Sequence, residues 1–232
     1  MEALILVGGL GSRLREVIKD NPKSLAKIAG KPFLTWVLDY LAKQGISRVV
    51  LATGYMSENI KDAIGSSWGP IDIDYVFEEE LLGTGGAIKH ALQHIKNNSF
   101  FILNGDTWLN LDYRNFMDDV MHSDCELGIA LTKIKDASRY GSVKLENKLI
   151  TNFYEKNEIF SGYINAGVYF VKNKEKLIFP KKSVFSFERD VLISLAKKRN
   201  IFGFTKTSGF VDIGVPEDYF KAVQESKNWM KL

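Results

Sequence analysis

The chain has 232 residues, of which 45% are apolar and 25% charged, and its net charge at neutral pH is +3. That length can bury a sizeable core as one large or two fused globular units, and an aromatic content of 12% argues against disorder. The small positive excess is spread without a long basic run and makes no case for nucleic acid, and no apolar run is long enough to span a bilayer. Cys125 is the single cysteine, so no internal disulfide can form; between Asp124 and Glu126 it reads as a small apolar filler. The first apolar run leads straight into a glycine loop without a leader pattern, and the expected compartment is reducing and cytoplasmic.

Ala3 to Val7 is too short for a helix and suits a buried strand. Gly8, Gly9 and Gly11 follow, then Ser12 and Arg13, with Lys23 after Pro22. Glycine lets backbone N–H groups face a ligand with no side chain in the way. A strand, a bare backbone loop and two cations make a cradle for a phosphate chain, whereas a plain turn needs one glycine and no arginine. The loop is neither the dinucleotide fingerprint, whose third glycine is replaced by Leu14, nor a Walker A loop, since Gly30-Lys31-Pro32 fails that pattern.

Leu34 to Lys43 carries apolar residues at helical spacing and ends at Gly45. Arg48 to Thr53 reads as a strand, Ser57 to Ile64 as a short helix with Ser57 as its cap, and Ile71 to Phe77 as a third strand. Glu78 to Gly86 is expected to be a loop, Ala87 to Ile95 a helix and Phe100 to Leu103 a fourth strand, ended by Asn104-Gly105-Asp106. Strands alternating with helices over short connections predict a parallel sheet with helices on both faces. Ligands of such sheets sit at the carboxyl ends of the strands. The glycine loop, the 78–86 loop and the Asn-Gly-Asp step each follow a strand, so one crevice would collect them.

Beyond Asp112 the pattern changes to successive strands with few long helices: Glu126 to Thr132, Gly141 to Leu145, Leu149 to Tyr154 and Tyr163 to Val171. Ser186 to Ala196 and Pro216 to Lys227 read as helices, and Ile201 to Thr205 and Gly209 to Ile213 as short strands. No Ser/Pro-rich linker, low-complexity segment or hexapeptide repeat interrupts the chain.

Asp106, at a strand end, suits Mg²⁺ when phosphates supply further oxygens, although aspartate is also common as a turn residue. Asp212, again at a strand end before a helix, offers the partner carboxylate. His90 and His94 share a helix face at metal-ligand spacing but have no third ligand, and read as solvent-facing. Glu79 and Glu80 read as a solvated acidic turn, and Trp108 and Tyr113 either line the crevice or pack the core.

The run GGLGSRL over 8–14, followed by NPKSLAKIAGKPFL over 21–34, resembles the signature of the sugar-1-phosphate nucleotidyltransferases, which usually reads GGxGTRL…PK…P…KP. Ser12 stands for the usual threonine and keeps a hydroxyl, and Lys27 stands near a position where proline is common. The resemblance covers nearly the whole chain. It implies an α/β, Rossmann-like nucleotide-diphospho-sugar transferase fold, with a mainly parallel central sheet flanked by helices and a mixed-sheet sugar-binding half. It further implies one domain over 1–232, with a nucleotide-binding half over 1–112 and a sugar-phosphate-binding half over 113–232, and no trailing β-helix.

Carried over residue by residue, the resemblance makes Arg13 and Lys23 catalytic. It places Val7, Gly8, Gly9, Gly11, Ser12, Glu78, Gly83, Thr84 and Gly85 on the nucleotide, with Gly85 and Gly86 keeping the helix start open to the base or ribose. Glu78 matches the base-reading position, where a carboxylate accepts the adjacent N1–H and N2–H donors of guanine in a fork. Asp106 and Asp212 match the two Mg²⁺ ligands, although Phe210 and Val215 depart from the usual Trp and Thr around the second. Gly141, Glu155, Lys156 and Asn165 match the sugar-phosphate contacts. Phe187-Glu188-Arg189-Asp190 matches a helix start to which no role attaches.

The implied substrates are GTP and a sugar 1-phosphate, and the implied assembly is a homodimer without nucleic-acid or membrane partners. The likeness is strongest to short bacterial members that act on a heptose 1-phosphate for capsule or lipopolysaccharide synthesis. Guanylylation of mannose 1-phosphate and uridylylation of N-acetylmuramate 1-phosphate are the rivals inside the family. Outside it, a glycosyltransferase would carry an Asp-x-Asp motif, which Asp106-Thr107-Trp108 lacks. A non-catalytic nucleotide sensor would be expected to have lost Arg13, Lys23 or Asp106, and all three are present.

Overall fold

The structure is a computed structural model and describes residues 1–11, 13–14, 17–18, 21–135, 140–154 and 161–229. In chain order β1 (Glu2–Leu6) is followed by a 3₁₀ turn over Lys23–Leu25 and a small hairpin of β2 (Lys27–Ile28) and β3 (Lys31–Pro32). Then come α1 (Phe33–Lys43), β4 (Arg48–Thr53), α2 (Ser57–Ile64), β5 (Ser67–Trp68), β6 (Ile71–Phe77), α3 (Gly83–Ala91), β7 (Phe100–Asn104), β8 (Thr107–Leu111) and α4 (Tyr113–Met121). The remainder comprises β9 (Leu127–Ile134), β10 (Ser142–Glu146), β11 (Leu149–Phe153), β12 (Gly162–Val171), a π turn over Glu188–Leu192 that runs into α5 (Ile193–Lys197), β13 (Ile201–Phe204), β14 (Thr207–Asp212) and α6 (Pro216–Trp229).

Ten strands form one sheet in the order β10-β11-β13-β9-β12-β7-β1-β4-β6-β5. β7, β1, β4 and β6 run parallel, and β12 lies antiparallel to both β7 and β9. The expected combination of a parallel sheet with a mixed continuation is therefore present. The strands are apolar on both faces because both faces are covered. Ala3 and Ile5 of β1 belong to a core with α1, α2 and α4, while Leu4 belongs to the opposite core with α3 and the helix over 188–197. Arg48 of β4 spans the start of the sheet, pairing with Glu2 of β1 and Asp74 of β6. The buried Glu2 carboxylate is completed by the backbone N–H groups of Lys96 and Asn97 at 3.1 and 2.7 Å.

Three departures from the sequence expectation matter for the crevice. β8 was not expected; it pairs antiparallel with β14 as a separate ribbon, with Thr107 opposite Asp212. α4 was not expected either, although Asp112 accepts from the Asn115 N–H at 3.0 Å and Tyr113, Phe116 and Val120 bury one face. Third, the loop expected over 78–86 ends at Leu82, because α3 begins at Gly83. The glycines there behave as a first helical turn because a remote segment packs onto it, as described below. Trp108 and Tyr113 are core residues: Trp108 lies on Tyr40 with ring centroids 5.3 Å apart, and Tyr113 on Phe101 at 5.0 Å. Cys125 is buried as a small filler.

α4 sits unusually close to β9. A Cβ built on Gly128 would lie 2.3 Å from Val120 Cγ2 and 2.8 Å from Phe116 Cε2. Gly128→Ala is expected to cost about 1–3 kcal/mol in urea unfolding through this overpacking. Gly9→Ala, where no atom lies within 4 Å, is expected to change stability by less than about 0.5 kcal/mol.

Candidate active site

The carboxyl ends of β1, β4, β6 and β7 share one rim because the four strands are parallel. Backbone bonds continue the register beyond the strand ends: Val7 N–H donates to Ala52 O at 2.9 Å, Glu78 N–H to Thr53 O at 2.8 Å and Gly105 N–H to Leu6 O at 2.9 Å. Val7 is buried against Gly105, whose absent side chain would meet Val7 Cγ1 at 2.5 Å. Asp106 follows at once and so leaves the sheet beside the glycine loop. Gly9 stands exposed with open space around it. Gly11, at φ +58°, would bring a Cβ to 3.0 Å from Lys23 Cβ, so its left-handed turn wraps the loop around the lysine stem.

Lys23, Asp106 and Asp212 meet although they come from three separate elements. The Lys23 ammonium pairs with Asp106 Oδ2. A Cβ on Gly214 would fall 2.7 Å from Asp212 Oδ1 and 3.2 Å from Lys23 Nζ, so both groups face one point. Asp212 Oδ1 also accepts the Gly214 N–H at 2.6 Å. Burial, with repulsion from Asp106 second, pushes the Asp212 carboxyl from 3.8 up to about 6, while Lys23 pulls the other way. Two close carboxylates form a hard oxygen donor set. Among the described residues no cluster of three or more His, Cys, Asp or Glu that could hold a metal ion is present, so a cation here would have these two carboxylates and would take its other oxygens from phosphate or water. That suits a small divalent cation such as Mg²⁺, which is usually bound by one or two carboxylates plus phosphates.

Glu78 lies deeper, 9% exposed, over the glycine loop. Its Oε1 would be 3.0 Å from a Cβ on Gly8, and its Oε2 accepts the Leu82 N–H at 3.3 Å. Burial raises its pKa, opposed by the Leu82 bond. It therefore both closes the 78–82 turn and presents an oxygen toward Gly8.

Gly83, Gly85 and Gly86 meet the segment 183–187. Phe185 O accepts from the N–H groups of Gly85 and Gly86 at 3.0 and 3.4 Å, and Phe185 N–H donates to Leu82 O at 3.0 Å. A Cβ on Gly85 would strike the Phe185 ring at 2.3 Å, one on Gly86 would lie 2.4 Å from Ser183 O, and one on Gly83 2.6 Å from Phe185 O. The expectation that Gly85 and Gly86 hold space open for a base or ribose is thus corrected: that space is filled by Phe185 and Ser183. Thr84 stands between the two segments, accepting from Phe187 N–H at 2.9 Å and donating to Glu188 Oε2 at 2.7 Å.

A cleft of about 1180 Å³ opens from this rim toward the mixed part of the sheet, and Arg13, Thr84, Gly141, Asn165 and Asp212 all line it. Asn165 reaches it through an irregularity in the β9–β12 register between Asn165 and Tyr169. Its carbonyl accepts Gly167 N–H at 3.0 Å and its amide donates to Tyr169 Oη at 2.8 Å. Gly141 is exposed, where a Cβ would approach Tyr154 O to 3.0 Å. Ser12, Glu155 and Lys156 lie outside the described residues. His90 and His94 are exposed. Sequence reasoning did not assign the lining residues Asn104, Tyr154, Tyr169, Ser186, Glu188 and Arg189. Of these, Asn104 carried a signal in the Asn-Gly-Asp step after a strand, and Glu188 and Arg189 in the helix start over 187–190.

The family model described as nucleotidyl transferase matches residues 2–228, and the chain belongs to that family. It is 41% identical to D-glycero-alpha-D-manno-heptose 1-phosphate guanylyltransferase of Aneurinibacillus thermoaerophilus, over 99% of this chain and 100% of that one. Identity is also 41% to the protein of the same description from Campylobacter jejuni, over 95% of this chain and 97% of the other. The crystal structure of HddC from Yersinia pseudotuberculosis complexed with GMP-PN matches with a TM-score of 0.81 and 36% identity, covering 97% of this chain and 99% of that chain. The fold is that of the nucleotide-diphospho-sugar transferases. No helix among the described residues is long and apolar enough to cross a membrane.

The raised Asp212 carboxyl has a sign that can be tested. Between 3.8 and about 6 the folded metal-free protein holds a proton that the unfolded chain has released. Stability from this group therefore falls as pH rises through that window. In chelator, Asp212→Asn is expected to flatten this fall and to raise the thermal midpoint at pH 7, which calorimetry at pH 4 to pH 7 would read.

Proposed function

We propose that the chain transfers GMP from GTP to a sugar 1-phosphate, releasing pyrophosphate and forming a GDP-sugar. D-glycero-alpha-D-manno-heptose 1-phosphate is the favoured acceptor, on the full-length likeness to the two bacterial guanylyltransferases. The observation that carries the reading is the meeting of Lys23, Asp106 and Asp212 at the mouth of a cleft that Arg13 also lines. A surface turn has no use for a carboxylate pushed up to about 6 by burial and a second carboxylate.

In this reading residues 1–112 hold the nucleotide and residues 113–232 hold the sugar phosphate. The backbone from Val7 to Gly11, with Ser12, cradles the triphosphate, and Arg13 and Lys23 balance its charge. Asp106 and Asp212 would hold Mg²⁺, which when bound neutralises negative charge on the phosphate oxygens. The nucleophile is a phosphate oxygen of the sugar 1-phosphate. It is already an anion, so no general base is needed, in keeping with a cleft that no histidine lines. Its bond to the α-phosphorus forms as the bond from that phosphorus to the bridging oxygen breaks, and pyrophosphate leaves with the electron pair. Arg13 and Lys23 lower the barrier by facing the charge that spreads over the transferring group.

Glu78 selects guanine by accepting two adjacent N–H donors, supported by its place over Gly8. Gly83, Thr84 and Gly85 contribute through the turn that positions Glu78 and through Thr84's link to the cleft wall. Gly141, Glu155, Lys156 and Asn165 contact the sugar phosphate. A homodimer and a role in capsule or lipopolysaccharide synthesis are carried over from the resemblance alone, and a cytoplasmic setting from the single cysteine and the sequence pattern at the start of the chain.

Pyrophosphate release measured across nucleoside triphosphates and sugar 1-phosphates tests the assignment. GTP with a heptose or mannose 1-phosphate is expected to give the highest kcat/KM; release with UTP and N-acetylmuramate 1-phosphate alone would overturn the guanylyl reading. Lys23→Ala and Asp106→Asn are each expected to lower kcat/KM by about 100-fold or more. Glu78→Gln presents a donor where guanine needs an acceptor, so the preference for GTP over the other triphosphates is expected to shrink by about 10-fold or more. An unchanged preference would remove Glu78 from base selection.

A further inference from the structure

The π turn that opens at Glu188 puts on the cleft wall a carboxylate to which the resemblance attaches no role. Its Oε2 accepts from two hydroxyls, Thr84 Oγ1 at 2.7 Å and Ser186 Oγ at 2.8 Å. Because the Thr84 oxygen already accepts the Phe187 N–H, its proton is committed to Glu188. Oε1 accepts no hydrogen bond among the described residues, and Glu188 has no ion-pair partner among them. Capping does not account for the residue. The Ser186 hydroxyl accepts the Arg189 N–H at 3.2 Å, and Asp190 accepts the Ser186 N–H at 2.9 Å, so the turn is closed by others.

The neighbours of Glu188 complete a polar wall. Tyr169 and Asn165 line the same cleft. The Tyr169 hydroxyl accepts from Asn165 Nδ2, which leaves its own proton to give. Burial, with the Glu188 charge second, raises the Tyr169 pKa well above its usual value and keeps it a neutral donor. Tyr169 itself is fully buried, so on this wall the group left open to a sugar hydroxyl is the half-buried Glu188 carboxylate, an anionic acceptor.

We propose that Glu188 is a specificity-determining residue of the acceptor subsite: Oε1 accepts a hydroxyl of the sugar ring, while Thr84 and Ser186 hold Oε2 in place. This rests on the reading of the chain as a sugar-1-phosphate guanylyltransferase. A carboxylate accepts from a hydroxyl more strongly than a neutral oxygen does. A rigidly held one also discriminates, since an analogue lacking the hydroxyl leaves the charge in the cleft without its partner. Thr84 lies on the helix that follows Glu78, so a single hydroxyl joins the wall that reads the sugar to the turn that carries the proposed base reader.

Binding measured without turnover tests this. Titration calorimetry with heptose 1-phosphate and mannose 1-phosphate, and separately with GTP, would compare the wild type with Glu188→Gln, a substitution that keeps the shape. The Kd for the sugar phosphate is expected to rise by about 10- to 100-fold, with the Kd for GTP unchanged. Among mannose 1-phosphate analogues lacking one ring hydroxyl each, one is expected to bind the wild type weakly yet lose nothing further in Glu188→Gln. A merely structural staple would not produce that non-additivity. Glu188→Asp, which keeps the charge but withdraws it by one methylene, is expected to fall between the two and serves should the first variant fold poorly. Wild-type affinity for the sugar phosphate in both variants, or equal weakening of both ligands, overturns the assignment. Glu188-dependent sugar binding in a protein that releases no pyrophosphate would instead sink the transfer reading and leave Glu188 in place. A wild type that binds no sugar 1-phosphate overturns both.

Discussion

Two carboxylates and one ammonium from three distant parts of the chain converge at one rim of the sheet, and the rest of the architecture serves to keep them there. Asp106 and Asp212 repel each other, and burial makes that repulsion costly. Lys23 offsets part of the cost by pairing with Asp106. Each is placed by a different device. The close crossing of Gly105 against Leu6 and Val7 delivers Asp106, the ribbon of β8 and β14 delivers Asp212, and the short helical turn over 23–25, wrapped by Gly11, delivers Lys23. A fold that only needed stability would have separated these charges or replaced them. Their retention in a solvent-accessible cleft is the physical reason to see a site that awaits a polyanion and a cation.

In the proposed reading the two parts of the sheet divide the work. Parallel strands bring their carboxyl ends, and the loops that follow, to one edge. β12, inserted antiparallel between β7 and β9, carries the second part directly alongside and needs no flexible linker. Its irregular register near Asn165 turns an inward-facing strand into one that presents polar groups to the cleft. Nucleotide and acceptor would then lie side by side along a continuous floor, with relative placement set by backbone pairing rather than by the hinge of two separate bodies.

Much of this could be read from the residues in order. The first strand, the glycine loop, Lys23 after Pro22 and the Asn-Gly-Asp step are local patterns, and local patterns survive in sequence. Of the β8–β14 ribbon only the second strand was read, as Gly209 to Ile213; β8 and the pairing were not, because antiparallel pairing between segments so far apart leaves no mark in local sequence. α4 was missed for a weaker reason: Asp112 as its cap and the spacing of Tyr113, Phe116 and Val120 were available, but the strands around it dominated the reading. The glycines at 85 and 86 were read as an opening for a ligand because sequence records that a side chain is absent, not what occupies its place. Phe185 and Ser183, which fill it, lie nearly a hundred residues away. The cleft-facing part of Glu188 was hidden in the same way, since its partner Thr84 is equally remote.

That docking of Phe185 has an electrostatic consequence. The first turn of a helix carries unpaired N–H groups and a partial positive charge that commonly attracts anions. In α3 the Phe185 carbonyl engages the donors of Gly85 and Gly86, and with them much of that attraction. Two first-turn donors of the helix nearest the proposed base reader are thereby occupied from within the chain. In the proposed reading a triphosphate would be held by the glycine loop and Lys23, with less competition from the start of α3.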